Sequence, residues 1–276
     1  MAAPHVGDAA IWPASYGAPV LPEQETPLTG GNVAAGLVRV GDTVRRPVGY
    51  WTPAVHALLE HLWSVGFRGA PRPLGIDEKG REVLTYAEGE VPWPSHFDLL
   101  DPLDQLARVG RLVRELHDAL STFNPPLDAQ WNVLMPADRD ELIIHHDLAP
   151  WNLVIGDRWV FIDWDNAGPG SRLWDVAYAV HGFIPMSAHP EWQRADAGPR
   201  LRVFADAYGL DEQQRRELAP MLTARTWAMH DFLRDRAALG VEPWATHWRT
   251  GHGDAWRSDA EYTERHTGRW RRALLG

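Results

Sequence analysis

Residues 143–168 read IIHHDLAPWNLVIGDRWVFIDWDNAG, and the polar residues in this mostly apolar run decide how the chain is to be understood. His145 and His146 stand beside Asp147, Asn152 follows five positions later, and Asp163 and Asp165 come after a second apolar run. The Ile, Val, Leu, Trp and Phe residues have the composition of a β-hairpin, which leaves the polar side chains at its ends. From there, three oxygen-bearing groups, Asp147, Asn152 and Asp163, can converge on one cleft. Asp147 suits a hydroxyl proton, while the Asn152 amide oxygen and the Asp163 carboxylate are hard ligands of the kind Mg²⁺ takes.

On the N-terminal side, residues 37–40 and 43–46 are two β-rich runs joined by Gly41-Asp42, a hairpin signal. Residues 53–65 place Val55, Leu58, Leu59 and Leu62 at helical spacing and stop at Gly66. PRPLGID and REVLTYAEG read as further short strands. Residues 1–27 hold five prolines and no period, which predicts an irregular leader. Beyond Pro94 the pattern turns helical. Asp101 is the expected N-cap of a helix with Pro102 in its first position and an apolar stripe from Leu103 to Leu120. A second helical zone covers 211–239, with Pro220 expected to split it, and 255–275 reads as a last helix. The expected architecture is α+β in two lobes: a leader at 1–27, a small β-rich lobe at 28–88 and a larger, mainly helical lobe at 89–276.

Composition narrows the function classes. None of the apolar runs in the 276 residues approaches the ~20 that a spanning helix needs, so no membrane partner and a cytoplasmic location are expected. With no cysteine, thiolate metal sites and disulfides are excluded. The 37 acidic against 27 basic residues give a charge of −10, which disfavours nucleic acid. Most of the 15 tryptophans are expected in packing rather than on a ligand.

His145-x-Asp147-Leu-x-x-x-Asn152 followed by Asp163-Trp-Asp165 resembles the catalytic loop and metal-binding aspartate of the protein-kinase superfamily. The missing arginine after His145 and the Asp-Trp-Asp triplet make the chain similar to the aminoglycoside phosphotransferase family, with its choline-kinase and homoserine-kinase-like relatives. The resemblance covers residues 28–179. It implies a bilobal protein-kinase-like fold, ATP as co-substrate, Mg²⁺, and transfer of the γ-phosphate to a hydroxyl of a small-molecule acceptor. An aminoglycoside-type antibiotic is the simplest acceptor; a macrolide, an amino alcohol or a homoserine-like metabolite are the alternatives. Asp147 and His145 take the catalytic-loop positions, His145 as a brace, and Asn152 and Asp163 the metal positions.

The resemblance carries further expectations at the nucleotide end. Gly30, Gly31 and Asn32 match a phosphate-covering loop. Arg45, with Arg46 as the register alternative, stands where the family has a phosphate-anchoring lysine, and Glu60 is its expected partner, with His56 the alternative. Backbone groups of Thr85 and Ala87 match an adenine-binding hinge. Asp175 matches an aspartate that braces the catalytic loop, or caps its helix. Asp165 either assists the metal or caps the following turn. In the helical region Asp231, Asp235 and Trp244 are the candidate acceptor contacts, suited to a cationic acceptor. Two other readings compete: a silent nucleotide-binding module, suggested by arginine in place of lysine, and a metal hydrolase using His145 and His146.

Overall fold

The computed structural model describes residues 24–28 and 36–276, so Gly30, Gly31 and Asn32 lie outside the described residues. Five strands build the N-terminal sheet: β1 (Thr26–Pro27), β2 (Val38–Val40), β3 (Thr43–Pro47), β4 (Pro73–Ile76) and β5 (Arg81–Thr85). They run antiparallel in the order β1-β2-β3-β5-β4, and Gly41, at φ 58°, turns β2 into β3. Between β3 and β4, α1 (Thr52–Ser64) buries Val55, Leu58, Leu59 and Leu62, the stripe its spacing predicts.

The rest is mainly helical. α2 (Leu103–Leu120) leads to two short antiparallel pairs, β6 (Leu142–Ile144) with β9 (Gly168–Gly170), and β7 (Leu153–Ile155) with β8 (Trp159–Phe161). α3 (Arg172–Phe183), α4 (Ala197–Tyr208), α5 (Glu212–Ala238), α6 (Trp244–Arg249), α7 (His252–Arg265) and α8 (Thr267–Leu275) follow. This mixed architecture, a small antiparallel sheet above a helical body, is the expected α+β kinase-like fold. Among the described residues no helix is long and apolar enough to cross a membrane.

Three local expectations are corrected. Pro102, not Asp101, is the N-cap of α2, and the Asp101 carboxylate takes Arg194 instead, at 2.7 Å. Pro220 does not split α5, which runs unbroken through 27 residues. An Asp211–Gln214 capping box starts that helix, and Leu218, Ala219 and Leu222 bury the turns beside the proline, so packing outweighs one lost backbone hydrogen bond. The expected last helix is two, broken at His266.

The segment after β5 crosses directly over the β7–β8 turn. Glu90 N–H donates to the Ile155 carbonyl at 2.9 Å and Ile155 N–H to the Glu90 carbonyl at 2.8 Å. So close a crossing has room for no side chain: a Cβ on Gly89 would run into the Ile155 carbonyl, and one on Gly156 into that of Glu88. Gly89 also has φ 144°. Gly89→Ala is therefore expected to cost about 2–3 kcal/mol, from strained backbone added to the clash, read as a lower urea midpoint.

Candidate active site

β6 delivers His145 and His146 to the top of the helical body, and the chain then turns sharply. His146 sits at φ 68°, a left-handed conformation that costs a non-glycine residue energy and persists only where the surroundings impose it. Those surroundings centre on Asp175, fully buried in the first turn of α3. Its two carboxylate oxygens accept the backbone N–H groups of His145 (3.1 Å) and His146 (2.9 Å). His117 Nε2 lies 3.2 Å away, with its other ring nitrogen 2.8 Å from the Tyr208 hydroxyl. Burial opposes the Asp175 charge, but the His117 hydrogen bond and the neighbouring imidazoles outweigh it and hold the carboxyl below its usual range. Helix capping falls instead to Ser171, whose hydroxyl accepts from Trp174 N–H.

Both loop imidazoles are committed elsewhere. His145 Nδ1 accepts from Asp147 N–H (3.2 Å) and its Nε2 faces the Ile162 carbonyl (3.1 Å). His146 Nε2 faces the Pro169 carbonyl (3.0 Å). Burial pushes both pKa values down, so both rings are kept neutral. His145 thus has no ring nitrogen left for a substrate, which corrects its place among the catalytic candidates and agrees with a brace. One ring bonds to Ile162 after β8 and the other to Pro169 in β9, so the His145/His146 metal-hydrolase arrangement does not form.

Asp147 is turned toward the cleft. Asn152 Nδ2 donates to its Oδ2 (2.8 Å) and to its carbonyl (3.0 Å), which leaves Asn152 Oδ1 open. Burial, with the negative charge of Asp147 nearby, raises the Tyr178 pKa well above 10. A buried arginine on α5, Arg225, ties the loop from behind, donating to the His146 carbonyl at 3.1 Å.

Asp163 follows β8 at φ 61°, a second left-handed non-glycine residue. Asp165 accepts from the Trp51 indole at 2.9 Å and from Arg46, the guanidinium that Asp163 also approaches. Arg46 also lies 3.3 Å from Glu82 and 3.7 Å from Asp163. Burial works against its charge, but Asp165, Asp163 and Glu82 keep the guanidinium charged.

The arginine at this site is therefore Arg46, and the expectation of Arg45 is corrected. In the β3–β5 ladder Arg46 stands opposite Glu82, so both project from one face of the sheet, while Arg45 projects from the other, 3.6 Å from Asp77. Glu60 is exposed on α1 and makes no ion pair among the described residues, which corrects that expectation also. His56 lies one turn nearer the N-terminus, with Nε2 2.9 Å from Glu82. An Arg46–Glu82–His56 chain thus takes the place of a direct pair between β3 and α1. Glu82 is not legible in the sequence alone; its signal is a charge standing opposite Arg46 in the strand register.

At the hinge, Thr85 N–H donates to the Arg72 carbonyl at 3.0 Å. Ala87 makes no backbone hydrogen bond among the described residues. The acceptor candidates are also engaged locally. Arg234 bonds Asp231 (2.7 Å) and Asp235 (2.9 Å), and Trp244 packs edge-on against Phe232 with centroids 5.0 Å apart.

The donor set fits a hard divalent cation. Asp147, Asp163, Asp165 and Glu82 set four carboxylates against the single Arg46 guanidinium, and Asn152 Oδ1 and Asp163 offer oxygens. Among the described residues no group of three His, Asp or Glu is arranged to hold a metal ion. Burial raises Asp163 to about 6, with Asp165 and Asp147 adding to the rise and Arg46 opposing it. Its side chain is nevertheless 39% open to solvent, which screens part of that cost. Without nucleotide or metal, Asp163→Asn is expected to stabilise the protein by about 1 kcal/mol, a Tm rise of roughly 2–4 °C in a scan near pH 7, while phosphoryl transfer is lost.

The sequence profile of the phosphotransferase enzyme family matches residues 125–219, the span from the end of α2 through the first turns of α5. The trifolitoxin immunity protein of Rhizobium leguminosarum bv. trifolii is 32% identical over 254 residues, 81% of this chain and 91% of that protein. Two solved structures share the fold. A choline/ethanolamine kinase family protein from Mesorhizobium loti has a TM-score of 0.58 at 16% identity, covering 87% of this chain and 88% of its own. An amicoumacin kinase in complex with AMP-PNP, Ca²⁺ and Ami has a TM-score of 0.59 at 13% identity, covering 89% of each chain. With the fold, the His145–Asp163 motif and a relative matched along most of both chains in agreement, the chain belongs to the phosphotransferase enzyme family of aminoglycoside-phosphotransferase type.

Proposed function

We propose that the protein transfers the γ-phosphate of ATP to a hydroxyl of a small, toxin-like or antibiotic-like molecule and so protects the cell that makes it. The observation that carries this reading is the joining of Asp147 to Asn152 at 2.8 Å in a cleft shared with Asp163 and Arg46. The relative named for immunity to a toxin supports the protective role.

Asp147, with one carboxylate oxygen held by Asn152, orients the acceptor hydroxyl and takes its proton as the oxygen attacks the γ-phosphorus. The new P–O bond forms as the bond to the bridging oxygen breaks, and ADP leaves with that electron pair. Arg46 reaches the phosphates from β3, guided by Glu82 and His56. Asn152 and Asp163 would hold Mg²⁺, which supplies charge neutralisation on the phosphate oxygens. Tyr178 and Asp175 act through the loop, fixing where Asp147 points.

The test is ADP release and ³¹P NMR with ATP, Mg²⁺ and a panel of hydroxylated acceptors: aminoglycosides, macrolides, amino alcohols and aromatic alcohols. A phosphorylated acceptor whose formation needs Asp147 supports the reading. ATP binding without transfer to any acceptor, measured beside a kinase of this fold as positive control, would overturn it in favour of a silent nucleotide-binding module.

A further inference from the structure

A run of aromatic rings leads away from Asp147. Tyr178, near that carboxylate, meets Trp151 edge-on with centroids 6.3 Å apart; Trp151 meets Trp93 at 6.0 Å, and Trp93 lies 4.4 Å from Trp192. On its other flank Tyr178 is stacked with Trp256, centroids 6.2 Å apart and planes 13° apart. Trp93, Trp151, Trp192 and Trp256 are only half-buried, whereas Trp164 and Trp270 vanish into the core. Four neighbouring indoles left partly open beside a catalytic loop are not accounted for by core packing.

The charges near this wall argue against a polycation. Asp259 is engaged by His181 (3.3 Å), which stacks on Trp256, by the Ser187 hydroxyl (2.9 Å) and by Ala188 N–H (2.8 Å). Asp231 and Asp235 are held by Arg234. Arg225, 2% exposed and without a carboxylate partner among the described residues, lies over the Tyr178 ring at 4.2 Å and is 5.2 Å from that of Trp174. Arg225 Nε and Trp174 Nε1 are buried donors with no acceptor among the described residues.

We infer that the acceptor carries a planar aromatic or heteroaromatic ring close to its reactive hydroxyl, held by stacking on the Trp151 and Trp256 wall rather than by carboxylates. This rests on the phosphotransferase reading, because it takes Asp147 as the point where the hydroxyl arrives. Stacking of this kind adds to the area a ring buries, and its sequence of tryptophans tolerates varied ring systems.

The test compares three alcohols, tryptophol, choline and kanamycin, on the full chain with AMP-PNP and Mg²⁺ by saturation-transfer NMR, and with ATP and Mg²⁺ by ³¹P NMR. Tryptophol is expected to bind at least tenfold more tightly than the other two. Trp151→Leu and Trp256→Leu are each expected to weaken it about tenfold, and Arg234→Ala, which releases Asp231 and Asp235, to leave the order unchanged. Trp192→Leu stands in if either variant fails to fold by circular dichroism. Equal or tighter binding of choline or kanamycin, no binding of tryptophol, or tryptophol binding indifferent to the tryptophan variants overturns the inference. Tryptophol bound through the wall but never phosphorylated supports the aromatic assignment and counts against the transfer reading. Preferential phosphorylation of choline or kanamycin does the reverse.

Discussion

Asp147→Asn is expected to lower kcat for phosphoryl transfer by about 10²–10⁴-fold, the range a positioned general base contributes, with ATP binding and Tm nearly unchanged. The substitution keeps the shape and leaves an oxygen for the Asn152 amide, now 2.8 Å from Oδ2, so the loop has no reason to move. What it removes is the negative charge that accepts the proton. Pre-steady-state ADP release with a saturating acceptor measures this directly, and a drop smaller than tenfold would take Asp147 out of that role.

The second large effect is on stability. Asp175→Ala leaves the backbone N–H groups of His145 and His146 and the His117 ring without their shared acceptor in the fully buried interior. Removing one member of such a buried network costs about 3–5 kcal/mol, and urea unfolding should show it. Activity should fall as well, because the loop loses an acceptor that helps hold His146 at φ 68°, and Asp147 is the next residue. Asp175→Asn keeps one acceptor oxygen and should lie between wild type and alanine. The sign with pH follows from the depressed carboxyl. Its contribution is present above the ordinary value of 3.8 and is lost as pH falls through the lower folded value, so the asparagine variant should lose less stability across that acid limb.

Asp163→Asn and Asp175→Ala are expected to move stability in opposite directions, although both remove a carboxylate from the same lobe. Asp175 is surrounded by donors; Asp163 is surrounded by carboxylates and one arginine. Under the proposed function, that cost to the empty protein is what a group set aside for an arriving cation and phosphates would carry.

The sequence by itself determined the local elements and the chemistry of the loop. Spacing in α1 and α2, the Gly41-Asp42 turn and the order His145, Asp147, Asn152, Asp163 are written in neighbouring residues, and short-range geometry follows from them. Tertiary structure alone decided which of two adjacent arginines enters the site, because a register one residue away would have sent Arg45 inward instead of Arg46. It also decided that Glu82 and His56 share the work expected of Glu60, that Pro220 passes inside an intact helix, and that Asp231 and Asp235 are bound by Arg234. Each of these depends on which residues, distant or adjacent, are brought face to face by strand pairing and helix packing, and that is a property of the folded chain rather than of any one segment.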